Sequence, residues 1–232
     1  MYLYYDWTWL LLIPALIFAI YAQTKVSTTY EKFSQVISRS GYTGRDLARK
    51  ILDRAGAYNP ELLDVDIVPI PGRLTDHYDP RARVLRLSED NYYGRSVASL
   101  GIVAHEVGHA IQHARAYAPL TMRNAIVPVA NIGSQLAFPL FFLGFLFNSP
   151  TLMDIGILAF SLALLFQVIT LPVEFDASAR AVRILRSGGY MDEEELSMVK
   201  KVLTAAALTY VAATAMALLQ LVRLLILRDR SD

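Results

Sequence analysis

The residues best suited to chemistry form one run, His105-Glu106-Val107-Gly108-His109-Ala110-Ile111-Gln112-His113, whose first five have the form HExxH. On a helix, His105 and His109 project from one face about 6 Å apart along the axis. Two imidazoles so spaced can share one tetrahedral Zn²⁺, with ligand bonds of about 2.0–2.1 Å. Glu106 stands where its carboxylate can act as general base on a water beside such an ion. HExxH alone recurs by chance, so its surroundings matter. Val103, Ala104, Val107, Gly108, Ala110 and Ile111 are uncharged, and no proline interrupts residues 95–118, as a helix carrying two ligands requires. The bland alternative is a helix with a buried glutamate and two incidental histidines, which is costly without a metal unless all three are paired.

His113 lies eight residues beyond His105, a rise of about 12 Å, too far for a shared tetrahedral ion. The glycine turn that returns a third histidine in HExxHxxGxxH is also missing. His113 is therefore expected behind a ligand or at an interface. The third ligand is expected to be Glu174, in Leu171-Pro172-Val173-Glu174-Phe175-Asp176-Ala177-Ser178. It follows a long apolar run and should open a helix ending near Gly188. Asp176 is expected to orient a ligating histidine through its other ring nitrogen. For both acids the alternative is simple complementation of a helix dipole. His77, within Asp76-His77-Tyr78-Asp79, is a candidate for substrate or oxyanion contact, or else a turn histidine paired with aspartate. Tyr78, Tyr92, Tyr93 and Tyr117 are further donor candidates, with aromatic packing as the competing explanation.

These residues must be positioned by a chain of 232 residues that is 54% hydrophobic, with net charge +1 and mean hydropathy +0.36. Nothing in that charge balance points to nucleic acid. The absence of cysteine rules out disulfides and thiolate metal sites, so zinc would be held by histidine and carboxylate. Four stretches approach the roughly 20 apolar residues that a bilayer crossing needs: about 7–22, 125–147, 152–173 and 203–227. Tyr2, Tyr4, Tyr5, Trp7 and Trp9 form an aromatic belt at the first. No cationic region precedes it, so it reads as an anchor and not a cleaved signal. Asn148-Ser149-Pro150 marks a turn between the second and third. The fourth is rich in alanine, which favours close helix packing in lipid. Lysine and arginine concentrate in residues 23–124 and after Glu174, which places both segments, and the HEVGH and Glu174 groups, on the cytoplasmic side. Arg228 and Arg230 run against that bias.

The expected organisation is an anchor over 1–23 and an extramembrane metallopeptidase domain over 24–123. A transmembrane hairpin over 124–173, an extramembrane segment with the third ligand over 174–202, and a final transmembrane helix and tail over 203–232 follow. Within the second segment, residues 28–38 read as a short helix. Thr43-Gly44-Arg45-Asp46 reads as a capping box opening a helix that Gly56 ends. Residues 64–70 and 82–88 alternate polar and apolar residues as half-buried strands do, with Pro69 confining the first to an edge or strand end. A small antiparallel sheet is expected, whose exposed edge could hold a peptide by main-chain hydrogen bonds.

Asp76-His77-Tyr78-Asp79-Pro80, Leu87-Ser88, HEVGHAIQ, Pro172-Val173-Glu174-Phe175-Asp176-Ala177-Ser178 and Ala206-Ala207-Leu208-Thr209-Tyr210-Val211-Ala212-Ala213 resemble, in order and over nearly the whole chain, the YugP-type neutral zinc metallopeptidases of bacterial membranes. More distantly the chain is similar to the HtpX and CAAX-prenyl protease group, where HExxH pairs with a downstream glutamate. Ala179 and the stretch Ala57–Glu61 depart from the family pattern. The resemblance implies a mainly α membrane protein with about four transmembrane helices and a gluzincin-like zinc helix in an extramembrane α+β domain. It implies one Zn²⁺ per chain on His105, His109 and Glu174, with Glu106 as base. The expected activity is endopeptidase cleavage of peptide or protein substrates at the bacterial plasma membrane, with membrane-protein quality control as the role suggested by HtpX. Nothing in the sequence specifies an oligomeric state. Two other readings stand beside this one. A site-2-type intramembrane protease is faintly echoed by Asn148-Ser149-Pro150 and Asp154, and a non-catalytic zinc-binding membrane scaffold is the alternative outside enzymes.

Overall fold

The computed structural model describes residues 7–230. Tyr2, Tyr4 and Tyr5 of the expected aromatic belt lie outside the described residues. The chain forms two compact units, one from residues 24–121 and 172–207 and one from residues up to 23, 122–171 and 208 onward.

In the first of these units, α2 (Gly44–Gly56) opens as its capping box predicts, with Thr43 Oγ1 accepting a hydrogen bond from Asp46 N at 3.2 Å. Leu47, Ala48, Ile51 and Leu52 recur at helical spacing and are buried, forming the face that packs on α4 (Val97–Ala114). The core continues through Leu85, Leu87, Leu100, Val103, Val107, Leu185 and Leu196.

Three strands, β1 (Asp66–Ile70), β2 (His77–Asp79) and β3 (Val84–Ser88), form a sheet of order β1-β3-β2. The small sheet is present, and its pairing is mixed: the two expected strands, β1 and β3, run parallel and not antiparallel, whereas β2, which the sequence did not mark as a strand, runs antiparallel to β3. Burial explains the order. Leu85 and Leu87 of β3 are fully buried and claim the centre, which leaves the more polar β1 and β2 as edges. Pro69 accordingly sits on an edge strand.

The segment before β2 is fixed by Asp76, whose carboxylate accepts from Ser88 N, Ser88 Oγ and Asn91 Nδ2. Asn91 Oδ1 in turn accepts from Tyr30 Oη. Burial raises the Asp76 carboxyl above its ordinary pKa, and these bonds oppose the rise. After β2, Asp79 accepts from Arg81 N, Ala82 N and the Arg86 guanidinium. The Arg86 bond is the leading reason that Asp79 titrates at about 2. A carboxyl held below its unfolded value of about 3.9 adds stability above that pH and loses it as pH falls towards 2. The melting temperature of the wild-type protein should fall faster than that of Asp79→Asn between pH 5 and pH 2. Parallel curves would show that the Arg86 pair does not stabilise the hairpin.

Four helices are long and apolar enough to cross a membrane, and each is longer than its apolar stretch. The first begins with a 3-10 turn (Trp7–Leu12) and continues as α1 (Ile13–Ser34), so residues 28–34 extend the anchor helix instead of forming a separate one. After the short α3 (Glu89–Tyr92) and α4 come α5 (Ala118–Leu146), α6 (Pro150–Ser187) and α7 (Glu193–Asp229). Helix α6 runs unbroken through Pro172, so Glu174 does not open a helix as expected. One proline removes a single backbone hydrogen bond, and a long apolar helix tolerates that loss.

The second unit is a helical cluster around Ala137, Phe141, Met153, Phe160 and Leu224. A Cβ at Gly156 would stand 2.7 Å from Phe141 N, so α5 and α6 meet backbone to backbone through small residues. Arg228 donates to Asp154 at 2.9 Å, and Arg230 lies over the Trp7 ring at 4.8 Å. The two cations that opposed the charge bias thus have partners within the protein, and Asp154 serves one of them.

Candidate metal centre

Helix α4 is capped by Ser96, whose Oγ accepts from Ser99 N, and runs without a break past His113, as the proline-free sequence predicts. His105 and His109 fall on one face with ring centroids 4.7 Å apart. Helix α6 brings Glu174 against them. Glu174 Oε2 lies 3.2 Å from His105 Nε2 and 3.5 Å from His109 Nε2, and the two Nε2 atoms are 3.1 Å apart. Four tetrahedral bonds of about 2.0–2.1 Å would set ligand atoms about 3.3 Å apart. The three donor atoms therefore have the mutual spacing that one zinc ion requires, and among the described residues they form a group that could hold a metal.

The close approach of the two helices depends on Gly108. A Cβ there would stand 2.8 Å from the Ala177 carbonyl oxygen, so only glycine lets the α6 backbone lie this near the HExxH turn. The sequence motif contains that glycine between its histidines for a packing reason.

Partners behind the imidazoles fix their orientation. Gln112 is fully buried, and its Nε2 donates to Val173 O and Asp176 Oδ2, both at 2.8 Å. Its Oε1 thus faces His109 Nδ1 at 3.0 Å, so that nitrogen must carry the proton and donate. The lone pair of His109 is left on Nε2, towards Glu174. His105 Nδ1 shares a 3.1 Å hydrogen bond with Ser178 Oγ. Neither Gln112 nor Ser178 was singled out from sequence. The available signals were a glutamine one turn after His109 and a serine one turn after Glu174. Asp176 does not reach a histidine directly as expected; it accepts from Gln112 and from Arg180, and supports His109 one residue removed. Gln112→Leu should weaken zinc affinity about 10–100-fold, the usual cost of losing an outer partner of a metal-bound histidine. Competition with a fluorescent chelator measures this, and unchanged affinity would sever Gln112 from the site.

Glu106 is buried beside the group, and its Oε2 accepts from Tyr78 N of β2 at 3.1 Å. Burial raises its pKa, opposed by the nearby His105 and His109. Burial works against a charged His109, yet the Glu174 and Glu106 carboxylates prevail and hold its pKa above the ordinary value. Two buried carboxylates thus flank two imidazoles, a donor set that calls for a cation.

The remaining candidates fall around this centre. His113 is outside the donor group and shares a 3.0 Å hydrogen bond with Tyr78 Oη. Burial pushes the Tyr78 phenol up to about 12, so it stays protonated at neutral pH. His77 is exposed, and its Nδ1 meets Thr75 O at 2.9 Å. Tyr92 and Tyr93 meet edge to face, and Tyr117 lies under the Arg180 guanidinium.

Residues 8–229 match the family described as "Putative neutral zinc metallopeptidase". The chain belongs to this family. It is also 50% identical over 213 residues to "Putative membrane protease YugP" of Bacillus subtilis (strain 168), covering 92% of each protein. No solved structure matches it. Family membership and the four long apolar helices together make this a membrane protein of the zinc metallopeptidase class.

Proposed function

We propose that the protein is a membrane-anchored zinc endopeptidase with His105, His109 and Glu174 as ligands and Glu106 as general base. The observation that carries this reading is the set of three donor atoms 3.1–3.5 Å apart with a buried carboxylate alongside. When bound, zinc supplies Lewis-acid polarisation of the scissile carbonyl and lowers the pKa of a coordinated water. The chain's own groups do the rest. Tyr78 N holds one oxygen of Glu106, which leaves the other to take a proton from the attacking water and return it to the departing amine. Gln112 and Ser178 keep both imidazoles turned with Nε2 inward. The short edge strand β2 lies next to the base and offers main-chain groups to an extended peptide.

The reading also puts the centre on the cytoplasmic side of the bacterial plasma membrane. Lysine and arginine concentrate in the segments that carry it, and Arg228 and Arg230, the exceptions, are engaged by Asp154 and Trp7. The site-2 alternative loses its support, because Asp154 pairs with Arg228 and is absent from the donor group.

The full chain, purified in detergent, should contain one zinc per chain and cleave casein or an unstructured peptide. Chelation should abolish cleavage, and added zinc should restore it. A fully zinc-loaded protein that cleaves no peptide would favour the non-catalytic scaffold instead.

A further inference from the structure

Away from the metal centre, four arginines converge on one cavity of about 190 Å³. Arg54, Arg115, Arg180 and Arg183 line it above an apolar floor that includes Ile111, with Tyr190 at its side and no acidic residue in the lining. Its volume is below the roughly 300–1,000 Å³ of pockets that take drug-sized ligands, so it suits a small group.

The bland explanation is that these cations complement helix ends. Arg54 is in the last turn of α2, Arg115 is the C-cap of α4, and the cavity reaches Ser187 at the end of α6. Arg54 does donate to Ser187 O. The magnitudes do not close, however. Each helix C-terminus carries about half a negative charge, and Asp176, paired with Arg180, adds one more. Against four guanidinium charges, of which those of Arg54, Arg115 and Arg183 are exposed to solvent, about one and a half are met by no protein group. Arg115 and Arg183 make no ion pair among the described residues.

We propose that this cavity binds a phosphate monoester, either a free phosphate compound or the headgroup of an anionic lipid. A monoester carries about −1.5 to −2 charge at pH 7, which matches the excess, and presents oxygens suited to forked guanidinium bonds. A carboxylate would leave part of the excess unmet. Arg183 and Arg115 are the principal binding residues, since Arg180 is held by Asp176 and Arg54 by Ser187. Arg180 and Arg183 also follow the apolar stretch of α6, which makes a lipid headgroup a natural source.

The test uses the full chain in phosphatidylcholine nanodiscs, with thermal unfolding as readout. One arm adds inorganic phosphate against chloride at equal ionic strength; the other replaces part of the lipid with phosphatidic acid. Binding to the folded state should raise the melting temperature by a few degrees in at least one arm. Response to phosphate alone assigns a soluble ligand, and response to the lipid alone assigns a headgroup. Arg115→Gln combined with Arg183→Gln should weaken binding at least tenfold, and Arg183→Lys should fall between. These variants leave the Arg180–Asp176 pair in place. No stabilisation in either arm, or equal stabilisation of the double variant, would overturn the site; the first comparison needs no variant to fold.

Discussion

Glu106→Gln should retain one zinc per chain while peptide cleavage falls about 10²–10⁴-fold, the usual contribution of a positioned general base. That loss corresponds to about 3–5 kcal/mol of barrier. The separation of binding from chemistry follows from the geometry. Glutamine has nearly the same volume, and its carbonyl oxygen can accept from Tyr78 N as Glu106 Oε2 does. The three donor atoms are untouched. What disappears is the basic carboxylate, so the fall should lie in kcat with KM little changed. Metal analysis and steady-state kinetics on the same preparation read both quantities. A variant cleaving within about tenfold of wild type would remove Glu106 from the proposed chemistry.

Glu174→Ala should cost more zinc affinity than the roughly 10–100-fold that follows loss of an outer partner, because a donor atom itself is lost. It should purify without zinc after dialysis and cleave nothing. Stability gives a second reading. In the wild type, chelation should lower the melting temperature, since metal binding energy is linked to folding. In Glu174→Ala, chelator should change nothing. A variant that keeps stoichiometric zinc and a chelator-sensitive melting temperature would assign the third ligand elsewhere.

Much of this was legible because local patterns carried it. HExxH spacing, the Thr43 cap and the apolar runs are properties of a few neighbouring residues, and each reappears in the structure. Glu174 was legible as a candidate, since a zinc site with two histidines still lacked a donor, and its carboxylate does lie with theirs. What escaped the sequence depends on partners distant along the chain. Gln112 looks like an ordinary helix residue until α6 supplies Val173 O and Asp176. Ser178 gains its role only when His105 faces it. The separate helices expected to open at Glu174 and at Thr28 did not form, because a change in hydropathy does not end a helix when its backbone bonds can continue. The parallel pairing of β1 was hidden because alternation reports which face is buried but not the direction of the neighbour.

The contact of Gly108 with Ala177 sets a timetable for biosynthesis. The 65 positions from His109 to Glu174 take about 3–13 s to translate at 5–20 residues per second. Throughout that interval the emerging chain holds His105, Glu106 and His109 but not Glu174, the proposed third ligand. Helix α5 and the first half of α6 must be made before Ala177 can seat against Gly108. If Glu174 is the third ligand, as proposed, the zinc site of the nascent protein stays incomplete while α5 and the first half of α6 are still being made.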